Sequence, residues 1–118
     1  MDLNRMINKI KEMPDYPRVG MIASHLGVVR GYSLDNTATR GMEVSFSRSS
    51  INGIVQDIKK LKGIIEVLVE INEGELGVGD EVMAVAVAGD TREHVFPALI
   101  EAVERLKKEA TKKREIFS

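Results

Sequence analysis

Gly74-Glu75-Leu76-Gly77-Val78-Gly79-Asp80-Glu81 runs directly into Val82-Met83-Ala84-Val85-Ala86-Val87, an acidic, glycine-punctuated segment followed by a stretch without a polar side chain. A run that is apolar on both alternate faces belongs to a strand covered on both sides, and the small Ala84, Ala86 and Ala88 imply close neighbours. Gly74, Gly77 and Gly79 read as turn formers. A phosphate-cradling loop is disfavoured, because Glu73, Glu75, Asp80 and Glu81 would repel the anion such a loop exists to hold. Beyond the strand, Asp90 or Thr91 caps a helix whose expected buried stripe is Val95, Phe96, Leu99, Ile100, Val103 and Leu106. Glu93 is placed to complete a capping box with Asp90. Pro97 removes one helical hydrogen bond, which predicts a kink or a later regular start.

Upstream, Leu3, Met6, Ile7 and Ile10 recur at helical spacing, so residues 2–12 read as a short amphipathic helix that Pro14 and Pro17 end. From Arg18 to Arg30 both alternate sets are largely apolar, which predicts a strand covered on both faces and broken near Gly27. Residues 31–40 lack a period and read as a mobile loop. Met42, Val44 and Phe46 alternate with Glu43, Ser45 and Ser47, the pattern of a half-exposed strand. Ser49 or Ser50 is the expected cap of the next helix, with Ile51, Ile54, Val55, Ile58 and Leu61 as its apolar stripe and Gly63 closing it. Lys59, Lys60 and Lys62 suit the dipole of its last turn. Ile64 to Ile71 is rich in β-branched residues and reads as a further strand. Helix, strands, helix, strands and helix joined by short links predict a single domain over residues 1–118, an α+β fold with helices packed on a mainly antiparallel sheet.

The 118 residues suffice for one core, and 43% hydrophobic content with a net charge of −1 describes a folded chain with no general attraction to nucleic acid or membrane. Aromatic residues make up only 4% and tryptophan is absent, so the stacking platforms of single-strand binders are missing. There is no cysteine, which excludes disulfides and thiolate nucleophiles, and two histidines make a zinc site a poor expectation. The first residues lack a signal pattern and no apolar run approaches the ~20 residues that span a bilayer, so the expected location is cytoplasmic.

Chemistry is concentrated near the C-terminus. Between Arg105 and Arg114 stand six cations, Arg105, Lys107, Lys108, Lys112, Lys113 and Arg114, against the one carboxylate of Glu109. A helix end explains Lys107 and Lys108. Lys112, Lys113 and Arg114 fall beyond it, either as a disordered tail or as part of a site that holds an anion. A lysine among cations has its ammonium form destabilised, which makes it a better base or nucleophile near neutral pH. Arg30 ends an apolar strand, and Arg92 sits in a first helical turn where a cation opposes the dipole; either fork suits a phosphate or carboxylate. His25 and His94 read as structural or surface residues.

The order Gly74-Glu75-Leu76-x-x-Gly79-Asp80-Glu81-Val82, an alanine and valine strand, Arg92, Phe96, Leu106-Lys107 and Lys113-Arg114-Glu115 resembles the molybdopterin synthase large subunit, the MoaE family, over about residues 18–115. The Gly27-Val28-Val29-Arg30 strand end is similar too. The resemblance implies an α+β catalytic subunit that puts two sulfurs into a cyclic pterin phosphate precursor, forming the dithiolene of molybdopterin without a metal or other cofactor. It implies a small ubiquitin-like partner whose C-terminal Gly-Gly carries sulfur as a thiocarboxylate, and a homodimer within a heterotetramer. By position, Lys107 and Lys113 match the catalytic lysines, with Lys112 an alternative to Lys113. Arg30 and Arg92 match arginines that bind the anionic substrate, and Lys112 and Arg114 are counted with them. Where relatives carry a proline-aromatic-tryptophan stretch before the second lysine, this chain has Ala110-Thr111-Lys112 and is one residue shorter. It has Thr91 where a histidine usually precedes the arginine, and it stops at Ser118 where some members continue. The alternative expectation is a non-catalytic protein on the same fold that binds an anionic pterin or nucleotide, or a ubiquitin-like partner. A weaker alternative is a structural dimerisation domain with a loose basic tail.

Overall fold

The computed structural model describes residues 1–117. Their order is α1 (Leu3–Lys11), β1 (Met21–Val28), β2 (Thr39–Phe46), α2 (Arg48–Lys59), β3 (Ile64–Ile71), β4 (Gly74–Gly77), β5 (Glu81–Gly89), α3 (Arg92–Arg105) and β6 (Thr111–Phe117). The fold is α+β, but the expected single sheet is divided into two three-stranded sheets, β1-β5-β3 and β4-β2-β6, with antiparallel pairing throughout.

β5 is the centre of the first sheet, and its two apolar faces have different partners. Met83, Val85 and Val87 join the main core, which includes Ile51, Ile54 and Ile58 of α2 and Val95, Ala98 and Ala102 of α3. Ala84, Ala86 and Ala88 face the other way, onto Met6 and Ile10 of α1. A strand alternates its side chains, so a valine row and an alanine row on one strand let two layers of helix approach at different depths. Asp2 starts α1 by accepting the Arg5 N–H at 3.1 Å.

Several local expectations change. β1 is not covered on both faces along its length: Ser24, Leu26 and Val28 are exposed, and Val28 borders the pocket described below. The irregularity expected near Gly27 is a bulge between Gly27 and Val28. Residues 31–40 close as a small hairpin, with Tyr32 bridged to Ala38 and Asn36 in the left-handed region at its tip. Gly74–Gly77 is a strand on the edge of β2 rather than part of the turn, which shrinks to residues 78–80.

The α2 cap is Ser47, whose Oγ accepts the Ser50 N–H, and not Ser49 or Ser50. In α3 the capping box does not form; Asp90 accepts from His94 and the Thr91 N–H, while Glu93 pairs with Arg92. Pro97 is exposed and the helix passes through it with Thr91 as cap. The buried stripe of α3 is Val95, Ala98 and Ala102, leading into Leu106, so Phe96 and Ile100 face outward. Gly63 has a φ of +79°, a left-handed conformation that favours glycine, and a Cβ there would crowd the side chains of His94 and Asp90.

The segment beyond α3 is the largest correction. The helix ends in a wide π-type turn, Leu106–Ala110, closed by the buried Thr111 hydroxyl donating to the Leu106 carbonyl at 3.1 Å. Lys112, Lys113 and Arg114 then lie in β6, paired along β2, and are not a loose tail.

Candidate functional site

The register of β6 sorts its cations by face. Lys113 is opposite Val44 and Glu115 opposite Met42, so these side chains share the inner face of the second sheet; Lys112 and Arg114, opposite Ser45 and Glu43, share the outer one. Arg114 Nη2 pairs with Glu43 Oε2 at 3.1 Å on that outer face. The alternation therefore separates Lys113 from Lys112, which the sequence alone leaves as alternatives.

The inner face opens onto a pocket of about 500 Å³ where the two sheets meet at the end of α3. Lys107 enters from the wide turn, Lys113 and Glu115 from β6, and Arg30 from the chain just after β1. Tyr32 and Leu34, largely exposed on the small hairpin, form part of its rim. The hairpin is tied to Arg30 by the Thr39 hydroxyl, which donates to the Arg30 carbonyl at 2.8 Å. Val82 and Met83 of β5 supply apolar floor. Three cations thus converge on one cavity with a single carboxylate beside them, an arrangement suited to an anion carried on an apolar body.

Lys113 is held below the usual lysine range, first by partial desolvation and then by Lys107. A fraction of its amine is neutral at lower pH than an isolated lysine would allow, the condition for acting as base or nucleophile. Arg105, counted with the cationic segment, belongs elsewhere: it bridges Asp57 of α2 and Glu109, each at 2.9 Å, and fastens the wide turn to the core. Arg92 does not line the pocket. Its side chain is 77% exposed beside Glu93, and a helical rise of ~1.5 Å per residue places it ~22 Å along α3 from Lys107.

His25 is the residue that sequence reasoning assigns to structure and the fold brings into the pocket. It is opposite Val85 in the first sheet, so it points to the side of the main core, towards the end of α3. The next position on that face is Gly27, where a Cβ would stand 3.4 Å from His25 Nε2; the missing side chain leaves the ring open to the cavity. Burial, then Lys107 and Lys113, hold His25 below the usual histidine range. The available signal was its place two residues before a glycine on a strand that ends in Arg30.

An α+β chain with paired antiparallel sheets and a cationic pocket at the end of its last helix defines the class, and comparison with known proteins agrees. The family model described as MoaE protein matches residues 1–109, and the chain belongs to the MoaE family. No curated protein sequence matches it significantly. Among solved structures, molybdopterin synthase from Staphylococcus aureus superimposes with a TM-score of 0.75 at 22% identity, covering 86% of this chain and 77% of the other. Molybdopterin cofactor biosynthesis protein E from Burkholderia multivorans gives a TM-score of 0.78 at 22% identity, covering 100% and 82%. The complex of subunits 1 and 2 of the molybdopterin-converting factor from Helicobacter pylori gives 0.72 at 16% identity, covering 100% and 84%. At these identities the structural likeness bears on the fold. Among the described residues no helix is long and apolar enough to cross a membrane.

Proposed function

We propose that this chain is the catalytic large subunit of a molybdopterin synthase and that its pocket transfers sulfur from the C-terminal thiocarboxylate of a small ubiquitin-like subunit to a cyclic pterin phosphate, forming the dithiolene. The observation that carries this reading is the convergence of Lys107, Lys113 and Arg30 on one cavity in a chain of the MoaE family. In this reading Arg30 holds the precursor's phosphate by paired N–H donors. Lys107 and Lys113 face the thiocarboxylate: the charged amine neutralises developing negative charge, and the one with the depressed pKa exchanges the proton. Lys112 and Arg114, on the outer face of β6, steer the anion and the partner tail from a distance. The work is done in the cytoplasm.

Arg92 enters this scheme through a second subunit. Its distance from Lys107 within one chain means that, if it binds the precursor, the homodimer must bring one protomer's Arg92 to the other's pocket. Mixing inactive Arg92→Ala and Lys107→Ala proteins is expected to restore activity, since random mixed pairing completes about a quarter of the sites. Absence of restoration would confine Arg92 to a structural role.

The deciding experiment combines the protein, a thiocarboxylated small partner and the cyclic precursor, with the dithiolene product measured directly. Wild type is expected to turn over and Lys107→Ala to lose at least about a hundredfold in rate. Partner binding without product, or full activity in the variant, would sink the mechanism.

A further inference from the structure

We propose that His25 is a ligand-contacting residue of the pocket, one that takes up a proton when a doubly charged tetrahedral oxyanion of the phosphate class binds there. The inference rests on the reading of this cavity as an anion site and assigns a role to a residue that reading does not use.

The charges around the imidazole come from three directions. Lys107 faces it from the turn after α3, Lys113 and Glu115 from β6, and Arg30 from the chain just after β1; the hairpin adds the phenol of Tyr32 at the rim, and β5 only the apolar Val82 and Met83. Three cations against one carboxylate disfavour a fourth positive charge while the pocket is empty. That is the environment in which burial and both lysines keep the ring neutral. A dianion seated among the cations reverses the local field. Ring Nε2 lies on the side left open by Gly27, so the newly protonated imidazole can donate its N–H to the anion. The proton comes from solvent and returns there when the anion leaves.

The sign follows from linkage. The ligand raises the His25 pKa from its lowered value in the empty pocket. Affinity is therefore constant above the bound-state pKa, strengthens as pH falls through it, and levels off below the free-state pKa. Each unit by which the ligand raises that pKa gives about a tenfold gain in affinity between the two plateaus. A neutral residue at position 25 removes the gain and leaves the plateau set by Arg30, Lys107 and Lys113.

Inorganic sulfate is the probe of choice, since it stays a dianion from about pH 5 to about pH 8, where histidine titrates. The chain has two histidines, so ring resonances can be followed individually. Sulfate is expected to move the His25 titration upward. Calorimetry in buffers of different ionisation heat is expected to show proton uptake by wild type and none by His25→Gln. If His25→Gln does not fold, His25→Asn takes its place, and the wild-type titration needs no variant. Sulfate binding that depends on Lys107 but leaves the His25 titration unchanged, or equal pH dependence in wild type and variant, would overturn the role of His25 alone. No sulfate binding would overturn the anion pocket with it, whereas proton uptake without dithiolene turnover would leave this inference standing and remove the proposed reaction.

Discussion

Lys112 and Lys113 are adjacent, equally charged and chemically alike, yet they occupy opposite faces of β6. Only Lys113 lines the pocket with Lys107 and Arg30. Lys113→Ala is therefore expected to reduce dithiolene formation by about a hundredfold or more, while Lys112→Ala keeps the rate within about threefold, measured as single-turnover rates with saturating partner. Equal losses would mean that neighbouring charge, rather than position in the pocket, governs the effect. The types of residue needed for an anion site were legible in the sequence; the side of a strand on which each would emerge was not. His25 shows the same limit. Nothing beside it in sequence marks it as functional, and its place follows from pairing with Val85, a partner 60 positions along the chain.

At the scale of elements, apolar periodicity located all three helices and the central strand because burial imposes that periodicity. It located caps and stripe edges less well. Ser47, Ser49 and Ser50 are equivalent by residue type, and only the end of β2 at Phe46 decides which one faces the free N–H groups. Ser47→Ala is expected to cost about 1 kcal/mol in denaturant unfolding, and Ser49→Ala to fall within a few tenths. Phe96 and Ile100 are apolar and at helical spacing, but the layer over β5 is filled by Val95, Ala98 and Ala102. On the opposite layer, Ile10 is fully buried against the alanine row of β5. Ile10→Ala is expected to destabilise the fold by ~2–4 kcal/mol in chemical denaturation, since a side chain is lost from a closed layer. A change under 1 kcal/mol, on the order of an exposed-site substitution, would show that α1 is not anchored there.

Over the whole molecule, acid sensitivity gathers at two surface ion pairs, each between residues four apart in sequence. Asp90 is held below the usual carboxylate range chiefly by His94, and Glu109 by Arg105. A carboxylate whose pKa is lower folded than unfolded contributes stability above its unfolded pKa and loses it as pH falls through the folded one. The melting temperature is thus expected to fall as pH drops below the ordinary carboxylate range, with a shallower fall in Asp90→Asn. An identical pH slope in that variant would remove Asp90 from the account. Glu109 has an added reach, because its partner Arg105 also holds Asp57 of α2 and so ties the turn carrying Lys107 to the core.

The sequence by itself determined the class of fold, the central strand, the three helices and the kinds of side chain from which an anion site could be built. These depend on periodicity, glycine placement and charge, which are properties of neighbouring residues. Tertiary structure decided that the basic segment is a strand, that the sheet is divided, that Lys113 and Lys112 part company, and that His25 joins the pocket while Arg92 stands apart from it. Strand register and the ending of α3 in a wide turn set those outcomes, and both arise from pairings between segments far apart in the chain.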